Sequence, residues 1–204
     1  MPSSSIECLD IPPLLKKILK CEVCKGQIPE PNPIVRASKT AKILIIGQAP
    51  GRKVHESKIP WDDPSGRRLR EWMGISEKDF YDESLVALLP MGFCYPGKGK
   101  SGDLPPRPEC APKWHSDLLS GMPNIEYTIL IGQYAQNYYL KDNFKTLTER
   151  IQNWQKFTPE YYVLPHPSPR NQLWLTRNPW FEEQVLPHLK AKIGSQISKQ
   201  HGSK

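Results

Sequence analysis

Residues 43–51, Ile43-Leu44-Ile45-Ile46-Gly47-Gln48-Ala49-Pro50-Gly51, decide the fold class of this chain. Four consecutive aliphatic residues, three of them β-branched, suit a short strand buried on both faces, the kind found inside a parallel sheet. Gly47, Pro50 and Gly51 then turn the chain tightly and leave backbone N–H groups open at the strand's carboxyl end. In open α/β sheets that end is where ligands bind. A lone G-x-x-x-G is equally an ordinary strand-to-loop turn. Here a second apolar strand runs into Leu164-Pro165-His166-Pro167-Ser168-Pro169, and two such strand ends point to a site.

Upstream, Ile11 to Lys20 places apolar residues at 11, 14, 15, 18 and 19, the spacing of a helix face, with Pro12 and Pro13 in its first turn. That helix delivers Cys21 and Cys24 into a proline-rich connection. Downstream of Gly51 a polar loop is expected. Asp63-Pro64-Ser65 then reads as a helix start, with Leu69, Trp72 and Met73 as its buried stripe and Gly74 as its end. Leu85 to Pro90 is a second buried strand. Residues 91–108 hold four glycines and four prolines, and a loop of that length is functional or is held by something. Cys94 and Cys110 bracket it.

Further along, 111–119 reads as a helix, 127–131 as a strand, 132–140 and 146–157 as helices, 161–164 as the fourth strand and 179–192 as the closing helix. The alternation predicts an α/β fold, a three-layer α/β/α sandwich around a central four-stranded parallel sheet. One domain is expected over 1–192, followed by a disordered polar tail over 193–204.

With 204 residues and 38% hydrophobic content, the chain can bury a substantial core. No apolar run approaches the roughly 20 residues of a membrane span. The first residues lack a basic start followed by an apolar run, so a cytoplasmic, membrane-free protein is expected. The formal charge of +7 suggests a polyanionic partner, without excluding a simple solubility role. Five cysteines without a signal segment are not a disulfide framework. Cys21-x-x-Cys24 with the distant Cys94 and Cys110 suggests a metal or cluster site, leaving Cys8 over. Four thiolates suit tetrahedral zinc as well as iron–sulfur.

Taken together, these features resemble the uracil-DNA glycosylase superfamily, closest to its iron–sulfur-containing (family 4-like) branch, from about Cys21 to Leu189. Gly47-Gln48-Ala49-Pro50-Gly51 resembles the first motif, and His166-Pro167-Ser168-Pro169 the second. Pro60-Trp61 falls where relatives carry a ring that stacks on uracil. Cys21, Cys24, Cys94 and Cys110 are similar to the four cluster ligands. The chain departs from the pattern at Gln48, where that branch usually has glutamate, at Ala49, where other branches have an acid or amide, and at Pro90, where the uracil-reading asparagine is usual. Arg170 stands where relatives often place an apolar wedge.

The resemblance implies a base-excision-repair enzyme acting on single- or double-stranded DNA as a monomer, or a non-catalytic nucleic-acid- or nucleotide-binding relative. It implies that His166 and Gln48 are catalytic and that Gln48, Ala49, Trp61 and His166 bind the base; His55, where relatives carry acids, is a further catalytic candidate as a residue that orients water. Ser168, Arg170, Asn171, Lys98 and Lys100 would contact DNA. A [4Fe–4S] cluster, with zinc as the alternative, would sit on the four cysteines. The acids near the first motif have plainer readings: Asp63 as a helix cap, Glu56 and Asp62 as solvated loop charges.

Overall fold

The computed structural model describes residues 9–202. Helix α1 (Ile11–Leu19) buries Ile11, Leu14 and Ile18, as its spacing predicts. Strand β1 (Ile43–Ile46) follows, then α2 (Arg52–Ser57), α3 (Pro64–Met73), α4 (Glu77–Phe80) and β2 (Val86–Leu88). The long glycine-rich loop carries a small antiparallel hairpin, β3 (Lys98–Gly99) with β4 (Gly102–Asp103). Next come α5 (Cys110–Ser120), β5 (Tyr127–Ile131), α6 (Gly132–Tyr139), α7 (Leu147–Gln152) and β6 (Tyr161–Leu164). Helix α8 (Gln172–Arg177) and a π-helical turn (Phe181–Val185) lead into α9 (Leu186–Gly202).

The main sheet has the order β2-β1-β5-β6, and each adjacent pair is parallel. Every residue of β1, β2 and β5 is buried, so helices cover both faces, and the expected α/β architecture is present. From β1 the chain steps outward to β2, then returns past β1 to β5 and continues to β6. The order therefore reverses between β1 and β5, and a crevice opens beyond their carboxyl ends, where ligands gather in such sheets.

Local chemistry explains the helix ends around that crevice. Asp63 N-caps α3 by accepting the Gly66 N–H at 2.8 Å, with Pro64 in the first turn. Gly74 closes α3 in the left-handed conformation at φ 63°. Thr146 and Glu149 form a reciprocal capping box on α7.

Two expectations are corrected. The polar stretch after Gly51 is not a loop but α2, whose inward face is Val54. The tail expected to be disordered is, through Gly202, the end of α9. Its composition is polar, but Leu189, Ile193 and Gln196 recur at helical spacing and are buried. Gln196 Nε2 donates to Glu126 Oε1 at 3.0 Å, and Gln200 Nε2 donates to Ser84 Oγ at 2.9 Å. Side-chain anchoring, invisible to a composition argument, holds the helix down.

Candidate active-site cavity and cysteine pocket

A cavity of about 520 Å³ opens at the carboxyl ends of the strands. The loops after β1, β2 and β6 line it, together with the start of α3 and the hairpin residues Ser101 to Asp103. The loop after β1 contributes Gly47 to Gly51, and its shape is tied to the loop after β2. Met91 N–H donates to Gly47 O at 2.9 Å and Gly92 N–H to Gln48 O at 3.0 Å.

Trp61 forms one wall. Its φ of 59° lies in the left-handed region, which a bulky aromatic residue rarely adopts. Its surroundings enforce this: Tyr81 OH donates to Pro60 O at 2.9 Å, and a Cβ on Gly66 would meet Trp61 O at 1.7 Å. A Cβ on Gly47 would meet the indole at 2.8 Å. Only glycine at 47 and 66 admits the ring and its backbone at that place.

His166 lies across from it, with ring centroids 6.0 Å apart and planes inclined by 30°. Ser168 N–H donates to His166 Nδ1 at 3.2 Å, so a neutral ring carries its proton on Nε2. Desolvation lowers the imidazole pKa, opposed by the charge of Asp63, so the ring favours the neutral form. Asn171 Nδ2 donates to His166 O at 2.7 Å, and Arg68 donates to Ser168 O at 3.3 Å. The loop is thus braced on both sides of the histidine.

Gln48, Ala49, Trp61, His166, Ser168, Arg170 and Asn171 all line this one cavity. His55 does not line it. Successive helical residues turn by about 100°, and with Val54 facing the cavity His55 points to Tyr95, 5.7 Å between rings, and to Glu30, 3.7 Å away. Glu56, on α2 rather than in a loop, pairs with Arg52 at 3.4 Å on the surface. Lys98 and Lys100 are exposed on the hairpin beside the rim. Arg170 folds over that hairpin, its Nη1 donating to Ser101 O at 3.2 Å.

Pro90 also lines the cavity, but its carbonyl is taken. Buried His115 donates from Nε2 to Pro90 O at 3.1 Å and accepts on Nδ1 from Tyr139 OH at 2.5 Å. Burial depresses the His115 pKa to about 4. Sequence reasoning missed His115, and it missed Asp103, which lines the cavity from the hairpin. The hairpin turn Lys100-Ser101, followed by Gly102 at φ 141°, was the available signal.

A model of the uracil DNA glycosylase superfamily matches residues 35–190, a span that includes both motif loops and Trp61. The chain belongs to the uracil DNA glycosylase superfamily. In this superfamily member both motif loops open onto the cavity described above. A second, smaller pocket is lined from the segment after α1 and from the start of α5.

Cys21, Cys24, Cys94 and Cys110 line that pocket together, with Phe93, Arg107 and Trp114 among its other walls. All four are free thiols. Among the described residues no group of three or more His, Cys, Asp or Glu side chains is placed to hold a metal ion. The four thiols instead surround a shared space, a donor set suited to a soft metal or cluster. Burial pushes the Cys94 thiol up to about 11 and the Cys110 thiol up to about 12, and the neighbouring thiols push in the same direction. Four clustered, partly buried sulfurs are costly as thiolates without a cation. Backbone donors stand ready for them: Phe93 N–H points to Cys110 Sγ at 3.4 Å, and Asn32 N–H to the Cys94 sulfur. Arg107 donates to the Cys24 sulfur and to Glu109 at 2.6 Å. Cys8 lies outside the described residues.

Among the described residues no helix is long and apolar enough to cross a membrane.

Proposed function

We propose that this protein is a DNA glycosylase of base excision repair, cleaving the N-glycosidic bond of uracil or a related damaged base. The observation that carries the reading is the braced, neutral His166. Its Nδ1 is occupied by the Ser168 N–H, which leaves Nε2–H as a donor beside the Trp61 ring.

The chemistry asks for such a pair. An extruded base needs an aromatic platform and hydrogen bonds to its edge. As the bond breaks, negative charge gathers on the base, and a preorganised donor at that position contributes about 3–4 kcal/mol. Trp61 suits the first task and His166 the second. The backbone N–H groups of Gln48 and Ala49, at the strand end, suit a base carbonyl whatever their side chains. DNA would lie over the rim, where Arg170, Lys98 and Lys100 carry positive charge toward phosphates.

The four thiols that line the smaller pocket support a [4Fe–4S] cluster held by Cys21, Cys24, Cys94 and Cys110, with zinc as the alternative. When bound, the group would serve as a cross-link between the segment after α1 and the glycine-rich loop. The chemistry on the base and the sugar belongs to the cavity residues.

A second reading, a non-catalytic binding member of the superfamily, is favoured by one observation. Gln48 and Ala49 supply no acid in the first motif, and Pro90 presents a ring where an amide would read the base. Incubation of purified protein with uracil-containing single- and double-stranded oligonucleotides, followed by alkali, separates the two. Strand cleavage at the uracil supports the glycosylase. Binding without cleavage on uracil or other damaged bases establishes the binding module.

A further inference from the structure

We propose that Asp103 is the carboxylate that takes the proton of the attacking water, a role that rests on the glycosylase reading above. Heterolysis of the glycosidic bond leaves a cationic sugar that water must capture. A carboxylate close by both stabilises that cation and accepts the water's proton. In the first motif the side chains are the amide of Gln48 and the methyl of Ala49, so the acid must come from elsewhere.

Among the described residues the carboxylates lining the cavity are Asp63 and Asp103. Asp63 is committed to the N-terminus of α3, where its Oδ1 accepts the Gly66 N–H at 2.8 Å. Asp103 is held in a different way. A Cβ on Gly51 would meet its Oδ2 at 3.4 Å, so this oxygen lies against the turn of the first motif. Its Oδ1 accepts from the buried Tyr95 OH at 3.4 Å.

The hairpin that presents it is anchored at both ends. Leu104 N–H donates to Gly97 O at 2.8 Å, and Arg170 from the second motif donates to Ser101 O at 3.2 Å. A Cβ on Gly102 would meet the Arg170 guanidinium at 2.6 Å, so the arginine head lies directly against the hairpin backbone. Both motif loops therefore touch the short hairpin that carries Asp103.

In the step so assigned, the bond between C1′ and the base nitrogen breaks, and its electron pair leaves on the base. The water oxygen bonds to C1′, and the water proton passes to an Asp103 oxygen. The base anion, held by His166 Nε2–H, takes a proton from solvent, and Asp103 returns its own proton to solvent. Base and sugar together gain one water.

The test is single-turnover excision from a uracil-containing single-stranded oligonucleotide, with affinity and Tm measured on the same preparations. Asp103→Asn is expected to slow excision by about 10²-fold or more. Its Tm should match the parent, and its affinity should be equal or tighter, because one negative charge near the phosphates is gone. Asp103→Glu is expected to recover part of the rate. Tyr95→Phe, which removes only the donor to Oδ1, is expected to lose several-fold in rate at constant affinity and guards against an Asn variant that folds poorly. An active parent with Asp103→Asn at the parental rate overturns the assignment and leaves the glycosylase reading standing. A parent that binds but excises nothing overturns that reading, and Asp103's role with it.

Discussion

The indole of Trp61 stands 6.0 Å from the imidazole of His166, with 30° between the ring planes. These residues are far apart in sequence, one before α3 and the other after β6, and the switch in strand order brings their loops together. Holding a tryptophan at φ 59° costs on the order of 1–3 kcal/mol. The packing of Gly47 and Gly66 against it over-determines that conformation.

Gly47→Ala follows directly from this packing. The added methyl would overlap the indole at 2.8 Å, and the strand behind it cannot retreat. The variant is expected to fold, to show altered tryptophan fluorescence and near-UV circular dichroism, and to lose at least tenfold in base excision. Parental spectra together with parental activity would show that Trp61 does not need its present place.

His166→Ala is expected to reduce excision by about 10²–10³, the usual size for losing one preorganised donor. Affinity for DNA should change little, because the interaction strengthens mainly as charge develops on the base. Trp61→Ala should differ by losing affinity as well as rate, since stacking on a base contributes about 1–3 kcal/mol. Rate and affinity measured on both variants decide whether the two rings divide the work in this way.

Protein purified without oxygen is expected to be brown and to carry iron and acid-labile sulfide in equal amounts. Single serine substitutions at Cys21, Cys24, Cys94 or Cys110 should deplete the metal and lower Tm. Cys8→Ser should leave metal content unchanged. Metal analysis returning zinc without iron would keep the four ligands and replace the cluster.

His115 should make stability depend on pH. Its folded pKa, about 4, lies below the ordinary histidine value near 6.5, so the unfolded chain binds the proton more readily. This contribution is complete above about pH 6.5 and is lost as pH falls toward 4, reaching about 3 kcal/mol. His115→Gln should flatten the difference in Tm between pH 7.5 and 5 relative to the parent. An equally steep dependence in the variant would place the acid-sensitive group elsewhere.

Much of this molecule is legible from local patterns. Strands 127–131 and 161–164 have the bounds that their apolar runs predict, because a strand buried on both faces is a near-continuous apolar run. The Asp63 cap and the Gly74 stop on α3 are local chemistry and were readable as such. The two glycine- and proline-punctuated strand ends announced the cavity, because turns at the carboxyl ends of parallel strands share one crevice.

The misreadings come from contacts between distant segments. The last seventeen residues of structure form α9 because Ile193 packs into the core and Gln196 and Gln200 reach Glu126 and Ser84. Nothing within the segment signals those partners. His55 was expected to be catalytic, but the turn of α2 directs Val54 to the cavity and His55 to Tyr95.

Sequence alone determined the alternation of elements, the motif loops and the four-cysteine set, since each depends on residue type at short range. Tertiary structure decided which polar groups face the cavity. The His166 tautomer depends on the Ser168 N–H, and the carbonyl of Pro90 is turned to His115. Asp103 reaches the first motif through a hairpin clasped by Arg170. Orientation and protonation are set by partners that only the folded chain brings within hydrogen-bond distance, so no local pattern could encode them.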